Sequence, residues 1–534
     1  MIAGLAAAAL AAALYVLAFP PADAGILAFV ALAPWCWIAR RFGGGRLLAL
    51  SALAGAAILA IGCSWIGRTA AVNLILMVVP ESAAFALFAW LLRRLLVVRE
   101  WRAIAALPVA FTAIEVARGR WPLDGFPWLT LGYTQHGWLD LVQMSAVTGV
   151  HGVTFLLATT AGAVADVVHA PGRRGGWAAL AASAGLVAAL AAGGRLAAGD
   201  PGSLPAGPRL LLVQPAIPQS LKDSSARTSS EQLLRRHFEL TESALAGEAR
   251  PVDLAVWSET MLPAPWPAEG DAAPDDPEAI LDLRRWTRET LVARWFAPRR
   301  RPLLVGVLTY RGSLRDPFVA TLNSAILFDA KGERVATYDK TVLVPGGEYL
   351  PWIDWFPDTI ADAIRRRVLD LAGFLPNLAA GTRSGVVDLE SVGVRGRAGL
   401  TICFEIAYPH LGRRLVKDGA DLLVNLSNEA WFPDSAEFDQ YTAMAVFRAA
   451  ETRRSLVRCA NSGTSGWIDP WGRRHLLTDG GRRHGFAGTA LVEPPRCSAT
   501  TLYARFGEWV GAAAWIVLLA GVAPRRRHPR AAPA

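Results

Sequence analysis

Three polar residues stand at the ends of short apolar segments, and their types together suit acyl-transfer chemistry. Glu259 ends VDLAVWSE (252–259), Lys340 follows SAILFDAKGERVATYD (324–339), and Cys403 lies in RAGLTICFE (397–405). A carboxylate can take the proton of a thiol, the thiolate can attack a carbonyl carbon, and an ammonium can stabilise the resulting oxyanion. Taken singly, each has a structural alternative, because Glu259 could cap a helix and Cys403 could be a small buried side chain.

Lys340 is unusual in a chain that takes its positive charge almost entirely from arginine. Of 54 basic residues only four are lysines, namely Lys222, Lys331, Lys340 and Lys417. A lysine in this setting indicates a need for a compact ammonium rather than a planar guanidinium. Chance remains the alternative, since Lys331 has the sequence context of an ordinary turn.

The segments around these residues alternate between strand and helix patterns, which is typical of a layered α/β domain. Further strands are predicted at 209–217, 302–310, 420–427 and 456–473, and helices at 230–245, 277–295, 409–419 and 436–454. Functional groups gather at strand ends in such domains. The helix predicted to begin just after Cys403 would favour its thiolate form.

The rest of the chain has the composition of a protein partly dissolved in lipid. Of its 534 residues 53% are hydrophobic and 19% are charged. A transmembrane helix needs about 20 apolar residues. Eight spans are predicted near 1–19, 24–39, 46–66, 71–92, 102–117, 143–167, 177–194 and 509–523.

Arginine residues are concentrated after the even-numbered spans, which predicts the orientation in the membrane. They include Arg40, Arg41, Arg93, Arg94, Arg173, Arg174, and a tail with Arg525, Arg526, Arg527 and Arg530. By the positive-inside rule both termini are cytoplasmic. We therefore expect a membrane domain over 1–199, an exported catalytic domain over 200–505, and a last helix with a basic tail over 506–534.

The charge distribution and the cysteine spacing argue against nucleic-acid binding, a zinc site and a disulfide framework. The net charge of +9 could suggest nucleic acid, but many basic residues flank apolar runs, so no nucleic-acid partner is expected. The five cysteines, Cys36, Cys63, Cys403, Cys459 and Cys497, contain no CxxC pair. Neither a zinc site nor a disulfide framework is indicated.

The order Glu259, Lys340, Cys403 resembles the nitrilase, or carbon–nitrogen hydrolase, superfamily, and the membrane spans narrow the resemblance to its apolipoprotein N-acyltransferase branch. The stretches that carry it are GFPWLTLGYTQ (125–135), VQPAIPQSLK (213–222), WSET (257–260), YDKTVLVPGGEYLP (338–351), ICFE (402–405), NLSNEAWFPDS (425–435) and TLYARFGEW (501–509). The resemblance implies an αββα sandwich beside the transmembrane helices. It makes Glu259 the general base, Lys340 the oxyanion stabiliser and Cys403 the nucleophile.

The resemblance also assigns Glu348 and Glu405 as additional essential carboxylates. By composition alone, Glu348 could instead be a solvated loop residue and Glu405 the partner of an arginine. Four positions depart from the family pattern: Asp223 replaces a common Trp, Phe404 a common Tyr, and Glu429 and Pro433 alter the usual NDAWFG. None of the four belongs to the Glu-Lys-Cys triad.

The implied reaction moves an acyl chain from a membrane phospholipid, specifically phosphatidylethanolamine, to Cys403 as a thioester. The chain then passes to the α-amino group of diacylglyceryl-cysteine at the N-terminus of an apolipoprotein. No cofactor or metal is implied. The expected location is the bacterial inner membrane, with the catalytic domain in the periplasm.

Two apolar loops and one helix agree with access to lipid. MLPAPWP (261–267) and YLPWIDWFP (349–357) suit a membrane interface, although packing in the domain core would explain each equally well. Residues 358–371, DTIADAIRRRVLDL, predict an amphipathic helix that either contacts the membrane or packs on the domain.

Two rival functions use the same features differently. A membrane-tethered amidase or nitrilase would use the triad with water as the acceptor. A catalytically inactive scaffold or transporter would not need the triad, and the scarcity of charges within the predicted spans also weighs against it.

Overall fold

The fold of the chain is given by a computed structural model that describes residues 1–68, 71–222, 227–246, 248, 250–268, 276–315, 319, 321–372 and 375–523. Asp223 and the basic residues of the C-terminal tail lie outside the described residues. The remaining chain forms an apolar helical bundle and an α/β sandwich, with a last apolar helix returning to the bundle.

The first 200 residues form the helical bundle. Its helices are α1 (Ile2–Leu17), α2 (Ala33–Arg41), α3 (Gly44–Gly62), α4 (Ala71–Arg93), α5 (Ala103–Arg118), α6 (Leu139–Val142), α7 (Ser145–Thr148), α8 (Val150–His169) and α9 (Arg174–Ala197). In the part of the chain that the structure describes, four helices are long and apolar enough to cross a membrane: Gly44–Gly62, Ala71–Val98, Val150–His169 and Arg174–Ser203. The helices Ile2–Leu17 and Trp509–Val522 are apolar but shorter.

The predicted spans therefore agree with the structure only in part. The span predicted at 24–39 is divided into a 3₁₀ turn, Gly25–Phe29, and the nine-residue helix α2. Pro34 lies in the first turn of α2, where its missing N–H is tolerated, so a new helix begins there. The span predicted at 143–167 begins late because Gly149, at φ 69°, separates α7 from α8.

Among the described residues, thirteen strands form two sheets. They are β1 (Leu210–Gln214), β2 (Leu254–Trp257), β3 (Trp266–Pro267), β4 (Leu303–Tyr310), β5 (Thr321–Phe328), β6 (Arg334–Asp339), β7 (Val386–Asp388), β8 (Arg397–Ile402), β9 (Leu422–Ser427), β10 (Ser455–Ala460), β11 (Gly466–Ile468), β12 (Arg474–Leu476) and β13 (Gly488–Val492). One sheet runs β13-β1-β2-β4-β5-β6 with β3 beside β4, and the other runs β12-β11-β10-β9-β8-β7. The predicted hairpin around residues 330–332 is β5 and β6, paired antiparallel.

The sheets stack face to face with helices on both outer sides. The helices after residue 200 are α10 (Gln219–Lys222), α11 (Arg227–Leu245), α12 (Glu278–Leu291), α13 (Ala297–Arg299), α14 (Asp358–Ala372), α15 (Pro409–Lys417), α16 (Glu437–Thr452), α17 (Leu502–Phe506) and α18 (Trp509–Val522), of which α18 packs on the helical bundle. Buried aliphatic residues of both sheets, including Val256, Leu304, Leu400 and Val424, form the inter-sheet core. Helices α11 and α12 cover one sheet, so the predicted αββα arrangement of this domain is confirmed.

Helix α16 lies between the second sheet and the helical bundle and is buried on all sides. Gln440 ties it to the bundle, because its Oε1 accepts from the indoles of Trp128 (2.6 Å) and Trp65 (3.1 Å). The side-chain Nε2 of Gln440 donates to the carbonyl of Gly62 at 2.9 Å. The sandwich is thus bonded directly to the membrane helices rather than linked by a tether alone.

Candidate active site

The three residues singled out from the sequence follow three strand ends that meet at one end of the sandwich. Glu259 stands two residues beyond β2, Lys340 directly after β6, and Cys403 directly after β8. Strands β2 and β6 belong to one sheet and β8 to the facing sheet, so the two sheets present these groups to each other. All three side chains lie at least partly buried.

Glu259 is held by a close approach of the neighbouring strand. A Cβ at Gly306 of β4 would lie 2.5 Å from the Cα of Glu259, so a larger residue there would displace the carboxylate. Asn323 of β5 donates from Nδ2 to Oε1 of Glu259 at 2.6 Å. The direction of this carboxylate is therefore set by two adjacent strands.

Lys340 and Glu348 form a partly buried ion pair beside Glu259. The Nζ of Lys340 lies 2.7 Å from Oε1 of Glu348, and Lys340 is only 1% exposed. The other oxygen of Glu348 accepts from the backbone N–H of Val344 at 2.8 Å. Asn323 Nδ2 also reaches Glu348 Oε1, at 3.4 Å, and thereby links the two carboxylates. Glu348 is part of the site network and not a solvated loop residue.

Cys403 occupies a sharp turn between β8 and a short 3₁₀ helix, Cys403–Ala407. Its φ of 52° lies in the left-handed region, which non-glycine residues rarely adopt. The Sγ lies 3.4 Å from the hydroxyl of Tyr441 on α16. Asn425 of β9 donates to the carbonyl of Cys403 at 3.3 Å. Strain of this kind is found where a side chain is aimed for function.

Glu405 fixes the turn that carries Cys403 to the turn that follows Lys340. It accepts from the backbone N–H groups of Ile402 (2.8 Å), Thr341 (2.7 Å) and Val342 (3.1 Å). The hydroxyl of Tyr338 donates to both of its oxygens at 2.8 Å. Its partners are thus backbone amides and hydroxyls rather than an arginine.

The charges of the site shift one another's pKa values. Burial raises the pKa of Glu259, and the nearby Lys340 ammonium opposes this shift. Burial lowers the pKa of Lys340, but the charges of Glu348, Cys403 and Glu259 outweigh it, so the net pKa is raised. Lys340 is therefore a fixed cation.

Burial also raises the pKa of Cys403, and the Glu259 charge adds to this, while Lys340 lowers it. The expected thiolate-favouring effect of the following helix does not prevail, because burial dominates. The resting group is a thiol, which needs a base to become a nucleophile.

Two departures from the family pattern have clear structural consequences. Phe404 stacks on Trp128 with ring centroids 5.8 Å apart and on Phe126 at 6.0 Å, so an aromatic layer lies behind the turn of Cys403. Glu429 forms a buried ion pair with Arg458, which fixes the loop after β9. Within the described residues, no group of three or more His, Cys, Asp or Glu could hold a metal ion.

Two residues of this network were missed from the sequence. Asn323 lies inside β5 and Tyr441 inside α16, 38 residues beyond Cys403. Neither residue stands at a strand end, which was the signal used for the others. Asn323 directly precedes the segment predicted as a strand from Ser324, and its polar neighbours Thr321 and Ser324 gave it no distinguishing signal.

Comparison with known proteins places this arrangement in a family. Residues 212–485 match the carbon–nitrogen hydrolase model, and residues 11–163 match the N-terminal domain of apolipoprotein N-acyltransferase. The sandwich is thus a carbon–nitrogen hydrolase domain, as the resemblance implied. Among solved structures, Nit3 of Saccharomyces cerevisiae, a member of the nitrilase superfamily, is 15% identical with a TM-score of 0.36, covering 55% of this chain and 92% of that chain.

Two curated relatives are similar over most of their length. The apolipoprotein N-acyltransferase of Geobacter metallireducens is 30% identical, covering 87% of this chain and 85% of the relative. The apolipoprotein N-acyltransferase of Azotobacter vinelandii is 32% identical, covering 84% of this chain and 79% of the relative. The chain belongs to the apolipoprotein N-acyltransferase family and is an acyltransferase of bacterial membranes.

Proposed function

We propose that this enzyme moves an acyl chain from a membrane phospholipid, through a thioester on Cys403, to the α-amino group of an apolipoprotein's N-terminal diacylglyceryl-cysteine. The names of the relatives supply the acceptor class and the bond formed. The observation that carries the proposal is the convergence of Glu259, Lys340 and Cys403 at one end of the sandwich, where Asn323 bonds both Glu259 and Glu348, the ion-pair partner of Lys340.

In the first half-reaction Glu259 takes the proton of the Cys403 thiol, and Sγ attacks the carbonyl carbon of the phospholipid ester. Lys340 faces the oxygen that becomes negative, and a buried ammonium stabilises such an oxyanion strongly. The C–O bond then breaks, and the lysophospholipid oxygen takes the proton held by Glu259. The acyl chain remains as a thioester.

In the second half-reaction the neutral amine of the acceptor attacks the thioester carbonyl. Glu259 takes a proton from the nitrogen, the C–S bond breaks, and the thiolate recovers that proton. Glu348 keeps Lys340 in place throughout, at 2.7 Å. Every proton and electron pair is accounted for by these side chains, so the steps draw on no cofactor.

Phosphatidylethanolamine is our proposed donor. The decisive experiment incubates purified protein with phospholipid labelled in its acyl chain, followed by lipopeptide or by water alone. We expect hydroxylamine-sensitive label on the protein and its transfer to lipopeptide only. Transfer to water at the same rate would indicate an amidase-like hydrolase instead.

Cys403→Ala should abolish the label, while Cys459→Ala should retain it. Cys459 is a matched control, because it is buried within β10 and its Sγ lies 3.2 Å from the carbonyl of Val256. Label retained in Cys403→Ala would contradict the assignment of the nucleophile.

We further propose eight spans, with the membrane domain at 1–199, the catalytic domain at 200–505 facing the periplasm, and the last transmembrane helix with its basic cytoplasmic tail at 506–534. Arg40 of α2 and Arg102 before α5 both pair with Asp166 of α8, at 3.3 and 3.5 Å. These contacts support placing the end of α2, the start of α5 and the end of α8 on the same side of the membrane. The arginine pattern assigns that side to the cytoplasm. The proposed location is the inner membrane.

The orientation is tested with an impermeant thiol label on a cysteine introduced at Ser313, in the loop after β4. In intact spheroplasts the introduced cysteine should react. Labelling that occurs only after lysis would contradict the proposed periplasmic orientation of the catalytic domain.

A further inference from the structure

Two of the four lysines in this arginine-rich chain converge on Glu259. Lys340 approaches it from the strand end after β6, and Lys222 from the end of the short helix α10. The other two, Lys331 and Lys417, are exposed on the surface. A chain that uses arginine nearly everywhere thus has a compact ammonium on each of two different elements beside the same carboxylate.

Lys222 contacts the backbone that carries Glu259. Its Nζ donates to the carbonyl oxygen of Glu259 at 3.4 Å and also to the hydroxyl of Thr260. Thr260 has a φ of 56°, which is a costly conformation for a β-branched residue and persists only where surrounding contacts enforce it. Lys222 supplies two of those contacts.

The opposite side of the same turn is fixed by β4. The N–H of Met261 donates to the carbonyl of Gly306 at 2.7 Å, and the N–H of Gly306 donates to Ser258 at 3.1 Å. These bonds hold the residues before and after Glu259 and Thr260. Lys222 therefore holds Glu259 and Thr260 on one side of the turn, while Gly306 of β4 holds Ser258 and Met261 on the other.

The charge of Lys222 acts on the carboxylate as well. Burial raises the pKa of Glu259 and the Glu348 charge adds to it, whereas Lys340 and Lys222 both lower it. A base must be ionised to accept a proton, so a nearby positive charge extends its working range toward acid.

We propose that Lys222 is a positioning residue for the general base, holding the turn of Glu259 and Thr260 and supplying a second positive charge beside the carboxylate. The inference rests on the proposed role of Glu259. It assigns to Lys222 a part in proton transfer that is distinct from that of Lys340, which faces the oxyanion.

The test measures single-turnover thioester formation by the full-length protein, with labelled phospholipid, from about pH 5 to about pH 9, the range around neutrality in which shifted carboxylates titrate. In Lys222→Met the acidic limb of the rate profile should move to higher pH. The rate should fall about tenfold at the acidic end, as expected when an opposite charge is removed from beside a buried carboxylate, and should recover partly at the alkaline end.

Two further variants separate the charge from the hydrogen bonds. Lys222→Arg keeps the charge and should leave the acidic limb in place. Thr260→Val keeps the charge but loses the hydroxyl, so it should lower the rate equally at all pH values. Lys417→Met, the same substitution at an exposed lysine, should match the wild type.

A fall in rate that is uniform with pH in Lys222→Met, or no fall, would overturn the inference. Glu259→Gln distinguishes this failure from that of the proposed function. If Glu259→Gln formed thioester at the wild-type rate, the base itself would be misassigned. If Glu259→Gln were inactive and Lys222→Met unchanged, only the role of Lys222 would be wrong.

Discussion

Two loops of similar composition border the site and have opposite surroundings. The inner loop, residues 261–267, follows Glu259, and the outer loop, residues 349–357, follows Glu348. In the inner loop Trp266 is 5% exposed and packs on Phe328 with ring centroids 5.5 Å apart. In the outer loop Trp355 is 81% exposed and Trp352 is 47% exposed. Of the two loops expected at a lipid interface, only the outer one presents its aromatic rings.

The difference arises from the strand that each loop meets. Trp266 and Pro267 form β3 and pair with Thr309 and Tyr310 of β4, so the inner loop becomes part of the sheet. The outer loop follows the edge strand β6 and continues into α14 instead. Aromatic content alone therefore does not distinguish a core segment from an interfacial one. The inner loop is held in the sheet by its pairing with β4, whereas the outer loop exposes its tryptophan rings on the surface, where a lipid could contact them.

The largest effect is expected on stability at the inner loop. Trp266→Ala removes a buried aromatic side chain and should cost about 3–5 kcal/mol. Trp355→Ala is the matched control and should cost almost nothing, because its ring is already in contact with solvent. The thermal unfolding midpoint of each variant in detergent measures this. Equal midpoints would show that the two loops do not differ as described.

The next effect concerns the chemical step, in which we assign a role to the buried Lys340. Lys340→Arg keeps the charge but replaces a compact ammonium with a wider, planar group. Loss of one oxyanion donor lowers the rate by about 10²–10³-fold, so single-turnover thioester formation should fall by that order. Lys331→Arg, at an exposed turn, should be unchanged. A near wild-type rate for Lys340→Arg would remove Lys340 from the oxyanion site.

A smaller effect is expected on lipid use at the outer loop. Trp355→Ala should raise KM for phospholipid vesicles by up to about tenfold, or about 1.4 kcal/mol, because an interfacial ring is lost. The rate at saturating lipid should stay the same. Unchanged KM with vesicles would mean that the exposed rings of the outer loop do not contact the membrane.

The smallest effect is expected in α14, which continues the outer loop. The predicted helix at 358–371 is confirmed as Asp358–Ala372, with Ile360 exposed and Ile364 partly exposed. A spin label at Ile364 should become less accessible to water-soluble relaxation agents when liposomes are added. Full water exposure in liposomes would assign α14 to the domain surface alone.

Local patterns predicted much of the domain, because strand ends and turns are encoded by neighbouring residues. Glu259, Lys340 and Cys403 each lie at or near the end of a predicted strand, and the structure brings these strand ends together. Strand β13 was not predicted, although it pairs with β1 along five residues, Leu210 to Gln214. Asn323 and Tyr441 were also missed, since their contacts depend on how distant segments pack. Glu405 was assigned from the resemblance, but its backbone partners required the structure.

The bonds of Gln440 bear on how such an enzyme could be divided or recombined. One amide side chain joins α16 to Trp65, Trp128 and Gly62 of the bundle, and the same helix places Tyr441 beside Cys403. The catalytic half is therefore not a transferable module. Cutting it free would expose the helix that contacts Cys403, so a gene fragment encoding the sandwich alone would specify a protein with an uncovered apolar face. Selection on either half therefore constrains both.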